Sequence, residues 1–299
     1  MKRASKKKDS RHLKKSEPTL ATKGRILVVN DEEPIREIVA SMLTTDGYQC
    51  RTAADGIEAL TVLDSGKEFD LLLSNLMMPN LDGLGLLERT KEKFPDMLVV
   101  VETAVHGISV ALAAIRNGAY DYLLKPFNRE QLLNVVHRAL EYRRLRVENQ
   151  NCQKRLGALT IPKAPKLERI LVQDDEEPMR EIIASMLTTA HYECRGVASP
   201  REVLDILNSG EEIDLLLCGL LETLEEDFFK RMSKQFPDIP VVTCSACHSF
   251  PPFSLALRDG AYDYLLKPFE REQLLNVVSR ALEYRRLKLE NRALCRLLT

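Results

Sequence analysis

The chain has 299 residues, 44% of them hydrophobic, and a formal net charge of −1. That length can hold two ordinary domains with buried cores, and the near-neutral charge argues against a nucleic-acid-binding protein or an acidic disordered chain. No apolar run approaches the roughly 20 residues of a membrane span. The seven cysteines show no paired framework and the sequence shows no export signal, so we expect a reducing, cytoplasmic location.

Strand and helix patterns alternate along the chain after a basic N-terminal stretch. Residues 26–29 form a short apolar run typical of a buried parallel strand, and Pro34 begins a helix behind acidic residues. Five such strands alternating with five helices predict a parallel sheet covered on both faces. Right-handed crossovers make this a doubly wound α/β fold, whose functional crevice lies at the carboxyl ends of the strands. The other strand-like runs lie at residues 48–52, 69–74, 98–101 and 120–124.

Two long segments of the sequence occur twice. Residues 31–45 return as 175–189 at an offset of 144, and residues 118–145 return as 260–287 at an offset of 142. The second copy therefore lacks two residues in between. Two copies of this length predict tandem domains rather than a solenoid. The longer segments differ only at two positions, Asn128 against Glu270 and His137 against Ser279.

The repeat sets the expected domain organisation. The N-terminal tail is basic without an apolar core, so we expect it to be disordered, and docking on an anionic surface is the less favoured alternative. Two prolines in TIPKAPKLE end the last helix of the first copy and mark a linker. We predict a tail at 1–24, a first domain at 25–145, a helix extension and linker at 146–168, a second domain at 169–287 and a helix extension at 288–299.

The predicted strand ends of the first copy carry the polar motifs ILVVNDEEP, LLLSNLMMPNLDG, ETA and YLLKPF, in that order. On these motifs each copy resembles the receiver domain of bacterial two-component response regulators, the CheY-like family, with a flavodoxin-like (βα)5 fold. The resemblance implies an acidic pair that helps bind Mg²⁺ and a third-strand aspartate that accepts a phosphoryl group from a histidine kinase. A hydroxyl, a lysine and a switch aromatic respond to that group.

The resemblance assigns these roles to residues of both copies by position. The acidic-pair positions are Asn30 and Asp31 in the first copy and Asp174 and Asp175 in the second. The acceptor positions are Asn75 and Gly219, the hydroxyls Thr103 and Ser245, the lysines Lys125 and Lys267, and the aromatics Tyr122 and Tyr264.

Both copies depart from the family pattern at the acceptor. An amide oxygen such as that of Asn75 is a poor nucleophile, and Gly219 has no side chain, so we expect neither position to form an aspartyl phosphate. The first copy also has Asn30 in place of an acid. The second copy reads LETLEED where the first has the MMPNLDG loop, and the two missing residues were lost there.

The charge of each pocket follows from these departures. An intact receiver pocket holds three carboxylates and one lysine, a formal charge of about −2 that attracts Mg²⁺. The first copy keeps Asp31 and Lys125, a formal charge of 0, and the second keeps Asp174, Asp175 and Lys267, a formal charge of −1. We therefore expect no cofactor and only weak or doubtful Mg²⁺ binding at the three aspartates. We hypothesise that Asp31 and Lys125 pair directly where the metal would lie.

The residues Cys244 to His248 match the C-x-x-C-H pattern of c-type haem attachment. The repeat aligns them with residues 102–106, the ordinary end of the fourth strand, which argues against haem. A redox-active pair of Cys244 and Cys247 remains a less favoured alternative.

The last helix of each copy extends past its domain with heptad spacing. Because the pattern is shorter than three to four heptads, solvated helix ends are slightly favoured over a coiled coil, and a homodimer through these helices stays open. The heptad positions are Tyr142, Leu145, Asn149, Cys152, Leu156 and Leu159 in the first copy and Tyr284, Leu287, Asn291, Leu294 and Leu298 in the second.

The motifs predict a regulatory protein rather than an enzyme. The sequence shows no helix-turn-helix, kinase core or nucleotide-binding loop, so we expect output through protein contacts with a histidine kinase, a phosphotransfer protein or another regulator. The favoured interpretation is a non-enzymatic pair of degenerate receivers in a phosphorelay. One alternative is a response regulator that accepts the phosphoryl group on a non-standard residue. Another is a thiol redox or ligand sensor that uses Cys244 and Cys247.

Overall fold

The computed structural model describes residues 22–104, 108–156, 167–219, 228–245 and 259–298. Within these residues the chain forms two five-stranded parallel sheets, each flanked by helices. We call the part around the first sheet domain 1 and the part around the second sheet domain 2. The predicted N-terminal tail and linker lie mostly outside the described residues.

Domain 1 has the strand order β2-β1-β3-β4-β5. The order reverses at β1, and the crevice at the carboxyl ends of β1 and β3 is the place where doubly wound sheets bind their ligands. Its elements are β1 Arg25–Val29, α1 Glu33–Thr45, β2 Gln49–Ala53, α2 Gly56–Asp64, β3 Leu71–Asn75, α3 Gly83–Lys93, β4 Leu98–Ala104, α4 Ile108–Arg116, β5 Asp121–Lys125 and α5 Arg129–Arg155.

Domain 2 repeats this order as β7-β6-β8-β9-β10. The LETLEED segment and residues 246–258 between β9 and β10, where the repeat predicts a fourth helix, lie outside the described residues. Its described elements are β6 Arg169–Gln173, α6 Glu177–Thr188, β7 Glu193–Val197, α7 Pro200–Asn208, β8 Leu215–Gly219, α8 Phe228–Gln235, β9 Val241–Ser245, β10 Asp263–Leu266 and α9 Arg271–Leu298.

The core of each domain lies in two apolar layers, one on each face of its sheet. On β1, Leu27 and Val29 pack into one layer, whereas Ile26 and Val28 pack into the other. All four are at most 1% exposed, as expected for a strand that helices cover on both sides. Because all the strands of a sheet are parallel, the polar residues that follow them meet at one edge of the sheet.

The two domains pack against each other through β5, β10 and the last helices, around four buried charges. The Arg138 guanidinium pairs with Asp121 of its own domain and with Asp263 of domain 2, and Arg280 pairs with the same two aspartates. All four residues are at most 9% exposed. Although burial works against its charge, the two carboxylates raise the pKa of Arg138 well above the usual value. Each domain contributes one arginine and one aspartate, so the cluster is neutral and self-complementary.

Helices α5 and α9 stay paired beyond this cluster and run in the same direction. The prediction of solvated helix ends is therefore wrong. Pairing buries Leu145, Leu287 and Leu294, apolar surface that separate helices would expose to water. In this chain the surface considered for a homodimer is covered by the other copy. The hydrogen bonds across the pair run from Tyr142 to Glu283 (2.8 Å), Tyr284 to Glu141 (3.1 Å), Asn149 to Glu290 (3.3 Å) and Asn291 to the Leu145 carbonyl (2.9 Å).

Candidate receiver pockets at the sheet edges

Domain 1 brings its polar strand ends together as the sequence predicts. The register of the sheet places Asn75 beside Glu102 on β4, and Lys125 lies at the end of the neighbouring strand β5. Asn75 Nδ2 donates to Asp31 Oδ1 at 3.0 Å and to the Met77 carbonyl at 2.8 Å, and Asn75 Oδ1 accepts from Lys125 Nζ at 3.2 Å. The amide of Asn75 thus joins the lysine to the aspartate.

Lys125 pairs with a residue outside the predicted site. Its Nζ lies 3.2 Å from Glu102 Oε2, which also accepts from Asn30 Nδ2 at 3.0 Å. The hypothesis of a direct Asp31–Lys125 pair is therefore wrong, because the buried carboxylate from β4 takes that position. An acidic residue inside the apolar run LVVVET is the sequence signal that could have identified Glu102.

Glu102 changes the charge of the domain 1 pocket. It is 1% exposed, and burial raises its pKa, although the charge of Lys125 and hydrogen bonds from Lys125 and Asn30 oppose the shift. Its Oε1 has no hydrogen-bond partner among the described residues. With Asp31 and Glu102 ionised, the formal charge becomes −1 rather than 0.

Domain 2 fills the equivalent space differently. Lys267 pairs with Asp174 Oδ2, while Asp174 Oδ1 accepts from the Glu176 backbone N–H at 3.1 Å. A Cβ built on Gly219 would lie 2.8 Å from Asp174 Oδ2, so the ion pair occupies the place of an acceptor side chain. Asp175 is exposed. This pocket also has a formal charge of −1.

The predicted hydroxyls lie at the same edges, but the predicted switch aromatics lie between the domains. Thr103 and Ser245 are both 5% exposed at the ends of β4 and β9. The Tyr122 hydroxyl accepts from Gln273 Nε2 of domain 2 at 3.1 Å. Burial and the charge of Asp263 raise the pKa of Tyr264 to about 12, against a hydrogen bond with Gln131 of domain 1. Each tyrosine therefore contacts the last helix of the other domain.

Neither pocket fits the Mg²⁺ that the receiver fold implies. In domain 1 the Asn75 amide directs an N–H at Asp31, so a donor occupies the side of the carboxylate where a cation would bind. In domain 2 both oxygens of Asp174 accept hydrogen bonds, and Gly219 supplies no ligand. Among the described residues no group of three or more acidic, histidine or cysteine side chains could hold a metal ion.

Cys244 lies at the position of Glu102 in domain 2. It is 2% exposed, and burial raises the pKa of its thiol to about 12, aided by the charges of Asp174 and Asp263 against that of Lys267. Reactive thiols have lowered pKa values and partial exposure, so Cys244 has the properties of a structural cysteine. Cys247 and His248, the other members of the haem-like motif, lie outside the described residues.

A model of the response regulator receiver domain matches residues 26–137 and again residues 170–279. The chain belongs to the response-regulator receiver family. The two matches cover well over half of the chain, and the observed strand order and tandem sheets agree with two doubly wound receiver folds. As a family, receiver domains interact with histidine kinases or other regulators.

Relatives from nitrogen regulation are among the similar proteins. The DNA-binding transcriptional regulator NtrC of Proteus hauseri is 33% identical over 150 residues, which cover 50% of this chain and 32% of NtrC. A putative NtrX-like response regulator of Rickettsia bellii is 38% identical over 125 residues, 42% of this chain and 26% of that protein. The matched part is thus a third or less of these curated relatives.

Solved receiver domains are also similar to part of the chain. The receiver domain of NtrX from Brucella abortus is 40% identical with a TM-score of 0.38, and the alignment covers 39% of this chain and 98% of that one. A receiver domain protein from Clostridium thermocellum is 28% identical with a TM-score of 0.40, over 41% and 98% of the two chains. In the part of the chain that the structure describes, no helix is long and apolar enough to cross a membrane.

Proposed function

We propose that this chain is a non-enzymatic regulatory protein of two-component signal transduction, built from two degenerate receivers that are not phosphorylated at the usual position. It binds a histidine kinase, a phosphotransfer protein or another regulator through receiver surfaces. One observation carries the proposal. The third strand of each domain ends without a carboxylate, at Asn75 and Gly219, and the lysine of each pocket pairs with a buried carboxylate of the same domain.

The internal pairing matters because phosphoryl transfer needs a free nucleophile and unoccupied cations. In domain 1 the lysine is held between Glu102 and Asn75, and in domain 2 Lys267 is held by Asp174. Neither lysine is left free to neutralise a transferring phosphoryl group. The pockets therefore have the chemistry of structural clusters rather than of acceptors.

The test is incubation of the full chain with Mg²⁺ and acetyl phosphate, read by intact mass with a phosphorylatable receiver as the positive control. We expect no phosphoryl adduct on the wild type. Asn75→Asp should give only weak phosphorylation, because Asn30 still replaces the first acid. Gly219→Asp should give none, because its Cβ would meet Asp174. A stoichiometric adduct on the wild type would overturn the proposal.

A repeated surface supports binding of partners. Ile38 on α1 is 54% exposed and its counterpart Ile182 on α6 is 49% exposed, whereas the neighbouring Val39 and Ile183 are at most 2% exposed. Exposed acidic residues precede each of them along the chain, at 31–33 and 37 and at 175–177 and 181. The recurrence of an exposed apolar side chain at the same position of the first helix in both domains makes these residues candidate partner contacts. Ile38→Glu and Ile182→Glu should weaken capture of the partner kinase without loss of fold by circular dichroism.

The second candidate is a receiver that accepts the phosphoryl group on a non-standard residue, and Glu102 is the observation that favours it. Its carboxylate lies beside Lys125 in the pocket. Its 1% exposure and raised pKa oppose nucleophilic attack on an external donor. Peptide mapping after the acetyl phosphate experiment separates the two, because an adduct on residues 98–104 that Glu102→Gln removes would favour this candidate.

A further inference from the structure

The paired helices α5 and α9 bring two cysteines of distant sequence into contact. The helices run parallel and nearly in register, because residues 142 and 149 of α5 face residues 283 and 290 of α9. Asn149 and Asn291 are both buried in the seam between them, at 5% and 6% exposure. One helical turn further on, Cys152 lies on the seam of α5.

The position that faces Cys152 on α9 is occupied by Leu294 and Cys295. In a parallel helix pair a residue at the position of Cys152, three residues after a seam asparagine at heptad position a, fits between four residues of the facing helix, among them its own counterpart and the next residue. Leu294, the counterpart, is 2% exposed, and Cys295 follows it. Desolvation and a hydrogen bond with the Cys295 thiol raise the pKa of the Cys152 thiol. The two sulfur atoms are therefore neighbours across the seam.

We propose that Cys152 and Cys295 form a reversible disulfide that clamps the two receiver domains together through their last helices. The reaction partner is a low-molecular-weight disulfide such as oxidised glutathione. The thiolate of the exposed Cys295 attacks it and releases one glutathione thiolate, and the Cys152 thiol then gives up its proton and displaces the other glutathione from the mixed disulfide. The protein loses two electrons and two protons, and one glutathione disulfide becomes two glutathiones.

Exposure singles out this pair among the described cysteines. Cys295 is exposed and Cys152 is partly exposed, whereas Cys218 and Cys244 are buried, and burial raises the pKa of both buried thiols strongly. Cys50 packs against the core of domain 1, as its counterpart Cys194 does in domain 2. Among the cysteines that the structure describes, only the seam pair joins one domain to the other. The inference does not depend on the proposed function, since it uses the helix pair and not the pockets.

The experiment oxidises the full chain with oxidised glutathione at low protein concentration, then blocks remaining thiols with N-ethylmaleimide. We expect a monomer whose intact mass, before blocking, is lower by two hydrogen atoms. Cys152 and Cys295 should both lose alkylation, and peptide mapping should identify one linked peptide that dithiothreitol separates. The thermal unfolding midpoint of the oxidised chain should rise and return on reduction, because the link restricts the unfolded chain.

Single cysteine variants test whether Cys152 and Cys295 are the linked pair. Cys152→Ser and Cys295→Ser should each abolish both the linked peptide and the rise in the midpoint, while Cys50→Ser should keep both. Unchanged thiols, a glutathione adduct that persists on either seam cysteine, or a cross-linked dimer in place of the monomer would each overturn the proposal. The linked peptide is measured on the wild type, so the result does not depend on the folding of any variant.

Discussion

Each receiver pocket neutralises an equivalent lysine, but the carboxylate that does so comes from a different strand in each domain. In domain 1 the partner of Lys125 is Glu102, which lies on β4. In domain 2 the partner of Lys267 is Asp174, which follows β6. Both lysine side chains are mostly buried, at 20% and 14% exposure, and both partners are almost inaccessible to water.

The position that does not supply the carboxylate is uncharged in each pocket. Asn30 stands in domain 1 where domain 2 has Asp174, and Cys244 stands in domain 2 where domain 1 has Glu102. A second buried carboxylate there would lack a cation and would cost several kcal/mol. Each pocket therefore retains one buried carboxylate that pairs with its lysine. The strand that supplies this carboxylate differs between the domains.

Removal of the lysine should give the largest difference in stability between the two pockets. Lys267→Met leaves Asp174 buried without its cation, and we expect a loss of about 3–5 kcal/mol in the free energy of unfolding. Lys125→Met should cost less, about 1–3 kcal/mol, because Glu102 has a raised pKa and can take up a proton instead. Urea unfolding followed by circular dichroism measures both, with the exposed Lys234→Met as control. Equal losses would contradict the comparison.

A methyl group at Gly219 should disturb only the ion pair of the domain 2 pocket. Its Cβ would lie 2.8 Å from Asp174 Oδ2, so Gly219→Ala must shift the Asp174–Lys267 pair, at about 1–3 kcal/mol. Gly196→Ala is the matched control, because a Cβ there meets nothing closer than 3.6 Å. Hydrogen exchange of the β8 amides shows where in domain 2 the stability is lost. If the two variants were equally stable, the ion pair would not fill the acceptor position.

Transfer of the carboxylate from one strand to the other should convert domain 1 to the domain 2 arrangement. Glu102→Gln alone removes the partner of Lys125, and Asn30→Asp alone crowds a second acid against Glu102. The double variant should be more stable than the sum of the single effects predicts, by about 1 kcal/mol. The cycle is measured by urea unfolding, with the exposed Glu88→Gln as control. Strict additivity would show that the two positions do not share the lysine.

The smallest expected effect is the pH dependence that Glu102 gives to domain 1. Burial raises the pKa of Glu102 above its unfolded value of 4.5, so the folded state binds its proton more tightly. This contribution to stability is full below pH 4.5 and declines as pH rises through the folded pKa. Glu102→Gln should remove this slope between the two pKa values, as followed by hydrogen exchange of β4 amides. A slope unchanged in the variant would assign it to another group.

The fold could be predicted from the sequence because its signals are local. Apolar runs bounded by turns locate the strands to within a few residues, as the run 69–74 and the observed β3, Leu71–Asn75, show. Pro34 lies in the first turn of α1 as expected. Duplication strengthened the prediction, since each copy served as a check on the other.

The pairing inside the pockets could not be predicted, because it depends on strand register and side-chain direction. Sequence spacing placed Asp31 and Lys125 at one edge, but the register that brings Glu102 beside Asn75 is a long-range property of the sheet. The packing of α5 on α9 was missed for a similar reason. Identical surfaces carry no sign of whether they meet each other or another molecule.

The four-charge cluster between the domains has a consequence for how the two repeats can change. Each arginine contacts the aspartate of its own copy and that of the other, so a substitution in one copy alters the environment of both. Asp121 cannot be replaced alone without leaving Arg138 and Arg280 to share Asp263. Along this surface the sequences of the two copies are therefore constrained together. Their pockets, which share no residue, are free to diverge independently.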